Sequence, residues 1–184
     1  MIFDLPTSLT VNGVERKINA DFRDIIVICV ALSDEELTAR EKNYILLNNL
    51  YVDDVKELGD TREAIQQALW FIDWGKDYKQ DGIEPPPRLL DWSKDYNAII
   101  SAVNGKCKTV EDVRELPFLH WWTFLGYFAE RGKCQISTIL EIRDKLARKK
   151  KLEKWEEEIL RESRDDIILK TAEDDEIEAA IWGE

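Results

Sequence analysis

Between Phe118 and Phe128 the chain reads Phe-Leu-His-Trp-Trp-Thr-Phe-Leu-Gly-Tyr-Phe. No other segment restricts the fold as much. Pro117 stands just before it, where proline can open a helix but not continue one, and Arg131-Gly132 supplies a stop. On a helix, Phe118, Trp121, Trp122, Leu125 and Phe128 make one apolar stripe, while Phe124 and Tyr127 project elsewhere. A helix that is apolar most of the way round must run through the centre of a domain or cover a partner. Each buried aromatic contributes roughly 1.5–3 kcal/mol. The expected arrangement is a central core helix. The alternative gives one face to the core and the other to an interface, where Trp and Tyr dominate binding energy.

The surrounding sequence predicts a mostly α protein: a multi-helix globular domain with a small N-terminal β-hairpin and a flexible acidic C-terminal tail. Eight glycines and five prolines in 184 residues are too few for an all-β sandwich. Asn12-Gly13 between Leu9-Thr10-Val11 and Val14-Glu15-Arg16-Lys17-Ile18 is a type I′ hairpin signal, because both turn residues tolerate positive φ. Asp21 fits an N-cap for a helix over Phe22 to Leu32, although the β-branched run from Ile25 to Val30 would also suit a strand. Thr38-Ala39-Arg40-Glu41 reads as a capping box before a stripe of Tyr44, Leu47 and Leu50. Asp60-Thr61-Arg62-Glu63 reads as a second box before Ile65, Leu69 and Ile72, with Gly75 as the stop.

Lys76 to Arg88, with Asp81-Gly82 and Pro85-Pro86-Pro87, is a loop and a candidate hinge inside one domain spanning 1–169. Beyond it, Trp92, Tyr96, Ile99, Ile100 and Val103 share one helical face, and Asn104-Gly105 ends that helix. Thr109 is a candidate cap in the polar turn that follows, and Ser137 is expected to cap a helix carrying Ile139, Leu140, Ile142 and Leu146. A basic run, Arg143, Lys145, Arg148, Lys149, Lys150, Lys151 and Lys154, leads into a helix with Leu152, Trp155 and Ile159. Pairing with Glu156 to Glu158 at i,i+4 would neutralise part of this run. Residues 155–184 hold twelve Asp/Glu against three Lys/Arg, so 170–184 is expected to be a disordered acidic tail.

Composition narrows the function. A net charge of −12 disfavours nucleic acid and anionic membranes alike. Three unpaired cysteines, Cys29, Cys107 and Cys134, suit a reducing cytoplasm. The N-terminus has no basic start and apolar stretch of a signal peptide, and the run from Ile25 to Leu32 is too short for a membrane span. His120 is the single histidine, with no cysteine within ten residues, so a structural role is expected rather than a metal site. There is no nucleophile elbow and no glycine-rich phosphate loop. No catalytic, cofactor or metal residues are expected, and no enzyme.

The order Asn12-Gly13, Asn19-Ala20-Asp21-Phe22-Arg23, Asp91-Trp92-Ser93-Lys94-Asp95, Leu119-His120-Trp121-Trp122-Thr123-Phe124 and Ile139-Leu140-Glu141-Ile142-Arg143 resembles the bacteriophage gene-product-fifteen family, up to about Leu169. The resemblance implies a non-enzymatic phage or prophage protein that acts as a tail assembly chaperone. It implies binding to the tape measure protein, and possibly to the major tail protein, in the host cytoplasm, with no place in the mature virion. The alternative is a virion structural protein, a tail or connector component that self-associates. In either case the residues expected to meet a partner are Trp121, Trp122, Phe124, Tyr127, Phe128, Leu152, Trp155, Ile181 and Trp182.

Overall fold

The computed structural model describes residues 4–76 and 87–169. Within them the chain runs β1 (Ser8–Val11), β2 (Val14–Lys17), α1 (Phe22–Ser33), α2 (Ala39–Leu50), α3 (Thr61–Ile72), α4 (Tyr96–Asn104), α5 (Trp121–Ala129), α6 (Gln135–Ala147), α7 (Lys154–Glu162) and α8 (Arg164–Ile167). Short 3-10 turns lie at Val55–Glu57 and Val113–Glu115. The mostly helical class with an N-terminal hairpin is therefore as expected. The tail, Ile181, Trp182 and most of the candidate hinge lie outside the described residues.

The hairpin forms as its turn requires. Asn12 and Gly13 sit at φ 52° and 75°, and Ser8 pairs with Lys17 through to Val11 with Val14. Two strands alone are marginal, and this pair is anchored on both sides. Leu9 and Val11 are buried. The Asn12 amide N–H donates to Glu63 Oε2 (2.8 Å), and its side chain donates to the Leu58 carbonyl (3.1 Å). The second expected capping box is therefore only half right: Asp60 caps α3 through the Arg62 amide, but Glu63 crosses to the hairpin instead of reaching back.

Helix wins over strand in the β-branched run. Asp21 accepts from the Arg23 amide, and burial at Phe22, Ile25, Ile26 and Cys29 follows helical spacing while Val27 points out. The helix α2 begins with the full box: the Glu41 amide donates to Thr38 Oγ1 (3.3 Å), and the Thr38 amide donates to Glu41 Oε2 (2.8 Å). Thr38→Ala is expected to cost about 1 kcal/mol, read as a lower urea midpoint at unchanged slope.

The expected stripes of α2 and α3 are rotated. Leu46, Leu47 and Leu50 face the core, and Tyr44 is 61% exposed. In α3 the buried residues are Ala64, Ala68, Phe71 and Ile72, whereas Leu69 is exposed. The alanines let α3 approach closely enough for the buried Tyr51 hydroxyl to donate to the Ala64 carbonyl (2.8 Å). The spacing of the large residues alone does not reveal that contact.

Three further boundaries differ. The helix α4 begins at Tyr96, leaving Trp92 in a turn where Asp91 Oδ1 accepts from the Ser93 and Lys94 amides. The 3-10 turn after α4 is capped by Asp112, while Thr109 meets the Cys107 thiol at 3.2 Å. The N-cap of α6 is Cys134; Ser137 stands three residues in, its hydroxyl accepting from the Cys134 amide (2.8 Å).

Candidate functional site

The aromatic block is helical only from Trp121 onward, because His120 is the N-cap. Its Nδ1 accepts from the Trp122 amide (3.0 Å), and Nε2 lies 2.8 Å from the Pro6 carbonyl. That geometry calls for the neutral tautomer with the proton on Nε2. His120 is thus the structural, satisfied histidine that was expected, at 4% exposure. The late start also changes which aromatics are buried. Trp121 and Phe124 lie in the core at 1% and 0% exposure, Trp122, Leu125, Tyr127 and Phe128 are half-buried, and Phe118 is 52% exposed.

The motif segments meet in space. Asp21 and His120 form an isolated bridge: the Phe22 amide donates to the Leu119 carbonyl (3.0 Å) and the Trp121 amide to the Ala20 carbonyl (2.8 Å). The Asp21 carboxylate also accepts from the Leu119 amide (3.0 Å) and from Arg23 Nε (2.7 Å). Burial pushes that carboxyl up, but the hydrogen bonds from Arg23 and the Leu119 amide outweigh it and hold it below the ordinary carboxylate range. The second clasp joins α4 to α6: Arg143 pairs with Asp95 at 2.6 and 3.0 Å, both side chains nearly fully buried. Arg143 therefore leaves the basic run expected on the surface. Trp92 packs against Trp121, ring centroids 5.4 Å apart, and so links the two clasps. These motif residues are spent on architecture.

The outer half of the aromatic set keeps accessible surface. Trp122 anchors it by donating to the Phe71 carbonyl (2.8 Å) and packing on Trp70 and Phe71. Gly75, at φ +73°, touches the same indoles; a Cβ there would lie 3.0 Å from Trp122 and 3.2 Å from Trp70. Trp74, beside it, is 40% exposed. Of the expected partner residues, Trp121 and Phe124 are buried in the core. Trp122, Tyr127, Phe128 and Leu152 offer part of theirs, and Trp155 is 49% exposed at the start of α7. Trp74 was not anticipated. Its signal was a tryptophan directly after the α3 stripe and directly before a stop glycine.

Among the described residues, no group of three or more His, Cys, Asp or Glu side chains could hold a metal ion. No helix among them is long and apolar enough to cross a membrane. Cys29 is buried, and burial pushes its thiol up to about 12, with the Asp73 charge adding to the effect. The basic run splits as well. Lys145 reaches the buried Glu156 at 2.6 Å and Glu141 at 3.4 Å, and Arg148 pairs with Asp144.

The fold and its motifs define a helical domain held by two long-range clasps, with an apolar rim of Trp74, Phe118 and Trp122 where α3 ends and α5 begins. Residues 2–169 match the family described as Bacteriophage Gp15 protein, so the chain belongs to that bacteriophage family. No curated protein and no solved structure matches it.

Proposed function

We propose that this phage protein is a tail assembly chaperone. It holds the tape measure protein in the host cytoplasm while tail-tube subunits assemble, and it leaves before the virion is complete. The observation that carries this reading is the apolar rim of Trp74, Phe118 and Trp122, gathered around His120 and Gly75, in a chain of net charge −12 from a bacteriophage family. A rim of this kind suits an amphipathic helix laid into a groove, and the charge keeps a crowded complex soluble.

The test is co-expression with the tape measure protein of the same phage. The wild-type chain is expected to raise tape measure solubility and to co-purify with it. The double variant Phe118→Ser, Trp74→Asn should fold, since both side chains are substantially exposed and asparagine accepts the φ of +60° at position 74. It should lose most of the co-purified partner. Unchanged solubility and no co-purification with the wild-type chain would sink the proposal. Stoichiometric presence in purified virions would favour a structural tail component instead.

A further inference from the structure

The strongest positive feature of this acidic chain is the turn between α6 and α7. Arg148, Lys149, Lys150, Lys151 and Lys154 are all exposed there. The turn is built to present them. Lys149 takes a left-handed φ of +53°, the Lys149 amide donates to the Leu146 carbonyl (3.0 Å) and the Lys150 amide to the Lys145 carbonyl (2.8 Å). This is the helix-terminating turn that usually places glycine at the left-handed position. Cations at that end also complement the helix dipole. Arg148 is engaged by Asp144 (2.6 Å), but among the described residues no ion pair holds Lys149, Lys150, Lys151 or Lys154.

An acidic partner is covalently attached. The segment Glu173-Asp174-Asp175-Glu176-Ile177-Glu178 has five carboxylates in six residues. The described chain ends against α6, on the turn's own helix. The Ile167 carbonyl accepts from Arg143 Nε (2.6 Å), and the Ile168 carbonyl accepts from Lys94 Nζ (2.7 Å). Arg143 lies only about 9 Å along α6 from Lys149 at the helical rise. The acidic segment begins four residues beyond Leu169 and ends nine beyond it, so its carboxylates can extend up to about 13–32 Å from the described end. Tethering raises the local concentration of the acidic block to roughly millimolar. The remaining surface, acidic on balance, repels it.

We infer that residues 173–178 dock in cis on the Arg148–Lys154 turn, making the acidic tail an intramolecular occupant of the basic surface. This places Ile181 and Trp182 within reach of the exposed Trp155 and of Leu152, immediately beside the turn. An acidic segment of another protein would have to displace the tail to bind there. The inference is independent of the chaperone proposal and would stand if that proposal failed.

Two measurements on the full chain test it. In lysine acylation followed by mass spectrometry, Lys149, Lys150, Lys151 and Lys154 should be protected at low ionic strength. The protection should be lost at high ionic strength, since salt screens exposed charges. It should also be lost in the variant Glu173→Gln, Asp174→Asn, Asp175→Asn, Glu176→Gln, Glu178→Gln, while the exposed Lys108 is unchanged. Carbodiimide cross-linking of an equal mixture of isotope-labelled and unlabelled chains should join the turn lysines to the tail carboxylates within single chains. Reactivity that is the same in the wild type and the tail variant overturns the inference. So do cross-links found only between chains, which would make the tail an intermolecular arm.

Discussion

Replacing Arg143 by methionine is expected to lower the free energy of unfolding by about 3–5 kcal/mol. The guanidinium has five N–H donors, and the structure gives it five acceptor contacts. Two go to Asp95 at 2.6 and 3.0 Å. The others go to the carbonyls of Ile167 (2.6 Å), Leu89 (2.8 Å) and Asp166 (2.9 Å). Methionine fills much of the space but leaves the Asp95 carboxylate buried without its cation and three carbonyls short of a donor. The cost comes from the groups left behind more than from the pair itself. Replacing Asp95 by asparagine in the same chain should therefore recover part of the loss, and the double-mutant cycle should show a coupling energy above about 1 kcal/mol. The segment from Asp166 to Ile167 should become protease-sensitive first, because Arg143 is what holds its carbonyls. Equilibrium urea unfolding of the four proteins measures the free energies, and limited proteolysis reads the Asp166–Ile167 segment. A change below about 1 kcal/mol for Arg143→Met would mean that the clasp contributes little to the fold.

That clasp also marks the limit of what could be read from the sequence. Local chemistry was legible: Asn12-Gly13 turns the hairpin, and Thr38 with Glu41 closes α2. Each of these needs only residues within a few positions, so spacing suffices. Arg143 looked like one cation in a basic run because its partner lies 48 residues away, and nothing in local spacing selects Asp95 over the other carboxylates. Glu63 was misread for the same reason: a box partner was available three residues away, but the hairpin amide 51 positions off won. The rim was half legible. The aromatic block announced itself, but which aromatics are buried depends on where the helix starts. His120 caps it three residues later than Pro117 suggested, which turns Phe118 out and Phe124 in.

Phe124→Ala, by that logic, should be among the most damaging single changes in the chain, at about 3–5 kcal/mol. The ring is fully buried and lies between two others. Its centroid is 4.7 Å from Phe22 at 7° and 5.6 Å from Trp121 at 12°. Truncation removes the transfer free energy of the ring and leaves a cavity between α1 and α5 that rigid aromatic neighbours cannot fill. It also breaks two offset stacks, each contributing about 0.5–1.5 kcal/mol beyond area. Phe124→Leu should cost clearly less, because most of the volume is kept. Phe118→Ser, only six residues earlier and in the same aromatic block, should stay within about 0.5 kcal/mol of wild type, since half the ring already sees water. The contrast is sharper than either value alone. If both substitutions prove costly, the block is entirely structural and the rim cannot be altered without unfolding the domain. If only Phe124 is costly, one aromatic segment serves two physical purposes: its inner rings hold α1 and α5 together, and its outer rings remain available for a partner at little cost to stability.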